Sequence, residues 1–206
     1  MIAHCQGAIY IAMSSSELDT LQSAFRAAGG KWSTFIIWAK NTFTLGRSDY
    51  QRQYEPILYG WPEGATRHWC GDRDQGDVWH FNKPRVNDLH PTMKPVELVE
   101  RAIRNSSRPG DVVLDPFGGS GTTLIAAEKS GRQARLIELD PKYVDTIVRR
   151  WQDYAGAQAV READGVRFDD LVGADPGESS RLSDGSGVAA LGEVGATEEG
   201  ASCIGA

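Results

Sequence analysis

The stretch Asp115-Pro-Phe-Gly-Gly-Ser-Gly-Thr-Thr123 places an acidic residue at the mouth of a glycine-rich turn, and Glu138 follows 23 positions after Asp115. Glycines let backbone approach a ligand closely and adopt positive φ. An acidic side chain about 20 residues further on, at the tip of the next strand, can accept hydrogen bonds from both hydroxyls of a ribose. Hydrogen bonds to a charged group of this kind contribute roughly 1.5–3 kcal/mol. This is chemistry for holding a nucleoside. A phosphate-gripping loop of the GxxxxGK[ST] kind needs a lysine, and none lies between Gly118 and Thr123. A dinucleotide loop needs GxGxxG, but Leu124 stands where the last glycine belongs. Asp115 also suits a cationic or amine-bearing ligand better than a pyrophosphate. S-adenosylmethionine, with a ribose, an amino group and a sulfonium, meets each of these features.

The elements that must position the loop are legible around it. Asp111–Asp115 reads as a buried strand, Thr122–Ser130 as a helix closed by Gly131, and Ala134–Leu139 as the next strand, ending at Glu138. Pro141–Tyr154 reads as a helix with proline in its first turn. Upstream, Pro95–Asn105 carries apolar residues at Val96, Leu98, Val99, Ala102 and Ile103, a helical spacing. Strands are expected at Ala8–Ala12, Thr34–Ala39 and Glu55–Tyr59, a helix near Ser16–Ala28, and a long loop over residues 60–90. Strand, helix and strand in succession predict an α/β fold with a doubly wound, mostly parallel sheet and ligands at the carboxyl ends of its strands.

The chain has 206 residues and a net charge of −6, but the acidity is local. From Gly156 onward ten acidic residues face three arginines, which leaves residues 1–155 with 19 basic and 18 acidic side chains. Residues 1–155 are therefore expected to form the folded domain. Residues 156–206, rich in Gly, Ala, Ser and acidic residues, are expected to be a mostly disordered tail, because they bury too little apolar surface to offset ordering entropy. Three scattered cysteines, Cys5, Cys70 and Cys203, argue against a disulfide framework or a zinc site and fit a reducing cytoplasm. No apolar run approaches the ~18 residues of a membrane span, and the first residues do not read as a secretory signal.

Three segments together carry a resemblance: His90-Pro-Thr-Met-Lys-Pro-Val-Glu-Leu98, the loop Asp115–Thr123, and Leu136-Ile-Glu-Leu-Asp-Pro-Lys-Tyr143. In this order they resemble the N4/N6 amino-methyltransferases of DNA in the β arrangement, where the cofactor loop follows the catalytic motif. The resemblance implies a Rossmann-like methyltransferase fold, S-adenosylmethionine as cofactor, DNA as partner, and methylation of the exocyclic amino group of adenine or cytosine. It also implies a cofactor site made by Thr92, Lys94, Asp115, Phe117, Gly119, Ser120, Thr122 and Glu138, with Lys94 pairing the ligand carboxylate and Asp140 near the adenosine. Each residue has a plainer alternative: Thr122 as a helix cap, Phe117 as core, Lys94 as an exposed loop lysine. More faintly, Gly7–Ile11 resembles the family's strand after the catalytic motif, Ile37–Lys40 and Asp49-Tyr50 with Tyr54–Gly60 resemble the later strands lining the base pocket, and Asp77–His80 also echoes the family. An aromatic near Tyr54 could stack on an extruded base, whereas Trp38 and Tyr59 suit core packing equally well. Residues 60–90 would occupy part of the target-recognition surface.

One feature of the family is missing. Its catalytic signature, an acidic or polar residue followed by Pro-Pro and an aromatic, orients the target amino group, and no Pro-Pro dipeptide occurs in this sequence. No catalytic residue is therefore assigned. The match begins downstream of where the signature belongs, so the fold is expected to be partly truncated relative to the family. Methylation of RNA or a small molecule by the same cofactor fold is a third reading, but the paired segments in this order favour DNA. Two functions lead: a site-specific DNA methyltransferase, with mild preference for adenine and a role in restriction–modification, or an inactive S-adenosylmethionine- and DNA-binding fragment. In the second case the chain could be half of a split enzyme completed by a separate N-terminal piece.

Overall fold

Side chains along Ala8–Ala12 alternate between the two faces of a central sheet, and that alternation decides where the helices pack. In the computed structural model, which describes residues 2, 5–83, 93–172 and the backbone of 202–205, β1 spans Ile9–Ala12. Ile9 clusters with Leu58 and with Leu21 and Phe25 of α1 (Leu18–Ala27). Ala8 and Tyr10 belong to the opposite cluster, with Leu98, Val99, Ala102 and Ile103 of α2 (Val96–Ser106) and Ala126 and Ala127 of α3 (Thr122–Ser130). Helices thus cover both faces, as a doubly wound α/β sheet requires. The remaining strands are β2 (Gly30–Thr44), β3 (Arg52–Pro62), β4 (Val78–His80), β5 (Val112–Asp115), β6 (Gln133–Leu136) and β7 (Ser202–Gly205). They line up in the order β4-β2-β3-β1-β7-β5-β6. β5 is parallel to β6 and β7, β7 to β1, and β4 to β2, whereas β3 runs antiparallel to both β1 and β2.

Three expectations change in detail. The second and third strands are much longer than their apolar runs, because backbone pairing continues after the side chains leave the core: Asn41–Thr44 is exposed yet belongs to β2. The expected loop over 60–90 contains β4, held by the register Trp38↔Trp79 and by the Trp38 indole donating to the Phe81 carbonyl at 2.8 Å. The tail expected to be disordered contains described structure. Val160 bridges Arg167, α5 spans Phe168–Val172, and β7 enters the sheet. Polar contacts make up for the missing apolar surface there: Gln152 and Gln158 both donate to Asp169 at 3.0 Å. Residues 173–201 lie outside the described residues. Among the described residues, no helix is long and apolar enough to cross a membrane.

The β2–β3 pairing leaves no room beneath Gly60. A Cβ there would lie 2.5 Å from the Lys31 carbonyl oxygen and 2.8 Å from the Phe25 ring. Gly60→Ala should destabilise the fold by about 1–3 kcal/mol, the usual cost of overpacking. A lowered urea midpoint with an unchanged slope is the expected result, and an unchanged midpoint would show that the hairpin yields freely.

Candidate functional site

The candidate site grows from the carboxyl end of β5. Parallel register sets Asp115 beside Leu136 of β6, and the Asp115 side chain is 1% exposed. A carboxylate so buried needs hydrogen-bond donors, and the glycine loop supplies them. The Phe117 N–H donates to Oδ1 at 3.0 Å and the Thr123 hydroxyl to Oδ2 at 2.6 Å. Both ends of the loop are thereby tied to one side chain. Burial pushes the Asp115 carboxyl up to about 6, against the lowering effect of these two donors and of Lys94, while Glu138 adds a small upward push.

Glu138 ties the loop to the second strand. It lies two residues beyond the end of β6 rather than inside the strand, yet ladder-like bonds continue: Ile137 N–H to the Asp115 carbonyl and Gly118 N–H to the Ile137 carbonyl, both 2.9 Å. Its Oε2 accepts the Gly119 N–H at 2.7 Å and its Oε1 the Asp140 N–H at 3.0 Å. Asp140 in turn caps α4 (Pro141–Ala155) by accepting from Lys142 N–H at 2.9 Å, with Pro141 in the first turn. Gly121 needs to be glycine: its φ is 78°, and a Cβ would meet Ile147 of α4 at 3.1 Å.

The structure removes the plainer alternative for three residues and places the others. Phe117 is 60% exposed and is not core. Thr122 does not cap its helix; its hydroxyl donates to the Lys94 carbonyl at 3.3 Å. The Lys94 side chain is 12% exposed, not a loose loop lysine, and pairs with Glu55 at 3.4 Å. Ser120 is buried, with its Oγ 3.3 Å from Thr122 Oγ1. Trp38, Tyr59 and Trp79 are core residues, while Tyr54 stays 41% exposed. Thr92 lies outside the described residues.

Three residues escaped the sequence reading. Ile137 and Leu139, 61% and 96% exposed, flank Glu138 and give an apolar rim together with Phe117. In sequence they read as strand interior, because nothing marks β6 as stopping at Leu136. Arg150 of α4 donates through NH1 to the Ser120 carbonyl at 2.9 Å, to Ser120 Oγ at 3.3 Å and to Thr122 Oγ1 at 3.2 Å, which braces the loop from behind. An arginine on a helix carries no sequence signal for such a contact.

Next to the loop lies a cavity of about 620 Å³, bordered by Lys94, Lys40, Glu55, Tyr54 and the residues after β1. Glu55 holds two cations there: Lys40 at 3.0 Å as well as Lys94. Lys40 Nζ also sits 4.5 Å from the centre of the Trp38 ring. The arrangement combines a glycine loop, a paired carboxylate and an apolar rim with an adjoining polar cavity. The glycine loop and paired carboxylate fit a nucleoside-bearing ligand.

Known proteins share both sequence and fold with this chain. The sequence profile of the N6/N4 DNA methylase family matches residues 4–149. The chain is 48% identical to the DNA adenine methyltransferase YhdJ of Escherichia coli K12 over 73% of its own length, and spans 64% of that protein. It spans 33% of the type II methyltransferase M.BglII of Bacillus subtilis, with 31% identity. Among solved structures, the complex of M1.HpyAVI with SAM superposes with a TM-score of 0.63 at 27% identity, covering 71% of this chain and 74% of that one.

Two outcomes test the local geometry. The folded Asp115 carboxyl keeps its proton to about pH 6, whereas an unfolded aspartate releases it near ~3.9, so the folded state binds more protons in this window. This group's contribution to stability is therefore greatest below pH ~4 and falls as pH rises through 6, by on the order of 2–3 kcal/mol in all. Asp115→Asn should remove that slope in pH-dependent denaturation; a slope unchanged in the variant would assign it to another group. Arg150→Ala should speed amide exchange in Gly118–Thr123 about tenfold or more while leaving the exchange of β5 alone, since only the loop loses its brace. Equal exchange in both proteins would mean that Arg150 supports nothing there.

Proposed function

The chain belongs to the N6/N4 DNA methylase family, and from that premise we propose that it binds S-adenosylmethionine and DNA and methylates the exocyclic amino group of adenine or cytosine. The observation that carries this reading is the joined use of Asp115, Gly119 and Glu138 at the ends of two parallel strands. The donor set fits the cofactor. Glu138 has the acceptors for two ribose hydroxyls, and Phe117, Ile137 and Leu139 offer an exposed apolar rim for an adenine ring. Lys94 is placed to share its charge between Glu55 and an amino-acid carboxylate. Ser120, Thr122 and Gly119 line the turn between these ends. Asp115, with both oxygens engaged, acts by shaping the loop.

When bound, the cofactor supplies an electrophilic methyl group on a sulfonium. The chain's own part is to hold that end of the ligand beside the cavity that Glu55, Lys40 and Tyr54 border, and to exclude water there. Tyr54 is the aromatic available to stack on an extruded base. Adenine is the favoured target, in line with the similarity to YhdJ, which is named for adenine.

A second reading, binding without transfer, is favoured by one specific observation. No Pro-Pro dipeptide occurs in the sequence, so the groups that would orient the target amino nitrogen are not assigned to any residue of this chain. A strand supplied by a separate N-terminal piece would then complete the enzyme.

Calorimetry with S-adenosylmethionine and a labelled-methyl transfer assay on mixed DNA separate these readings. Wild type should bind the cofactor, and Glu138→Ala should weaken binding about 10- to 100-fold, the loss of one charge-assisted pair of hydrogen bonds. Unchanged affinity would remove the ribose assignment. Methyl transfer by the chain alone supports the enzyme, and cofactor binding without transfer supports the incomplete module.

A further inference from the structure

The far end of the β2–β3 hairpin presents large apolar side chains to solvent at the rim of the cavity. Leu45 is 81% exposed and Tyr50 93%, and both border the cavity that holds Glu55 and Lys94. Phe43, at 57%, adds to the same end of the hairpin. Such exposure costs solubility and stability wherever it serves nothing, and here it is concentrated at one edge of a candidate substrate pocket.

The tip is held in shape rather than trailing in solvent. Gln51 accepts the Gly46 N–H and donates to the Ser48 carbonyl, both at 2.6 Å, which closes the turn on itself. Arg52 donates to Ser14 Oγ at 2.9 Å and so fastens the hairpin to the segment after β1. The register shifts just before the tip: between Ala39↔Tyr54 and Thr44↔Arg52, five steps along β2 face only two along β3. Irregular pairing of this sort recurs beside functional sites. Arg47 is exposed on the same turn.

A braced tip that carries Phe43, Leu45 and Tyr50 together with the exposed Arg47 and Asp49 matches the chemistry of a duplex that must be opened, with Arg47 as its free cation among the described residues. A base modified on its exocyclic amino group has to leave the helical stack, and its departure leaves a gap between the neighbouring base pairs. Proteins that distort DNA fill such gaps with apolar wedges, while arginines take the phosphates. A protein partner would be met by an apolar face with few cations, and a free small molecule would not need side chains outside the cavity. We propose that the hairpin tip is a DNA wedge: Leu45 and Tyr50 enter the duplex where the target base has left it, with Arg47 on the adjoining backbone. This inference rests on the DNA reading above and adds to it the element that opens the duplex.

Fluorescence anisotropy with two labelled duplexes of one sequence, one intact and one with a central abasic site, provides the test. The abasic duplex already contains the gap, so wild type should bind it about tenfold more tightly than the intact one. The Leu45→Ser/Tyr50→Ser double variant should lose that preference while retaining cofactor affinity, since neither side chain belongs to the cofactor loop. Both side chains lie in solvent, so the variant should fold, as its circular dichroism would confirm. Arg47→Ala should weaken binding to both duplexes alike. A wild type that binds DNA without preferring the gap, or a double variant that keeps the preference, overturns the wedge. A wild type that binds no DNA overturns the DNA reading and the wedge with it.

Discussion

A carboxylate that is almost wholly buried at the end of a strand must be met by donors, and in this protein those donors are the backbone and hydroxyl groups of the turn that follows. Asp115 takes the N–H of Phe117 and the hydroxyl of Thr123, so a turn rich in glycine keeps one shape despite its freedom. The cost of burying the charge appears as the raised proton affinity of the carboxyl. Everything nearby depends on that shape. It aims the Gly119 N–H at Glu138, brings Gly121 against Ile147, and places Thr122 within reach of the Lys94 carbonyl.

Charge is handled differently in the adjoining cavity. There Glu55 stands between Lys40 and Lys94, and the stem of each lysine lies against protein rather than in water. In the reading proposed above, a ligand carboxylate would share the Lys94 ammonium with Glu55, whose pair does not use all three of its donors. Lys94 is also bound through its carbonyl to Thr122, so the cavity and the glycine loop share a residue at both its ends. The long hairpin, tied by Arg52 to the segment after β1, forms the outer wall of the same space.

The strand–turn–helix half of the candidate site was legible in the sequence because its geometry is local. Asp115, the glycines and Thr122–Ser130 form one continuous strand–turn–helix unit, and the helix bounds read from capping residues coincide with those of α3. What could not be read there depends on distant pairing. The tip of β2–β3 is exposed and mixes Phe43, Leu45 and Tyr50 with polar residues, so it carries no core-facing period, yet its ladder continues to Thr44 and Arg52. β4 has three residues and owes its existence to β2. Arg150 lies 30 positions from Ser120 and meets it only because α4 packs behind the loop. Ile137 and Leu139 looked like strand core, and only the early end of β6 turns them outward. The short strand Ser202–Gly205 has so little apolar length that composition could not distinguish it from the tail around it.

Glu138 then shows how binding and loop order are coupled. Its two oxygens hold Gly119 and Asp140, so the carboxylate proposed to receive a ribose also fixes the turn and the start of α4. A ribose accepted by Glu138, as proposed above, would meet a carboxylate already fixed in place, and little ordering entropy would be lost on binding. Arg150 strengthens the same network from the opposite side through Ser120 and Thr122. The loop is therefore preorganised by three anchors from three elements, Asp115 on β5, Glu138 beyond β6 and Arg150 on α4, and the cavity inherits that rigidity through the bond from Thr122 to Lys94.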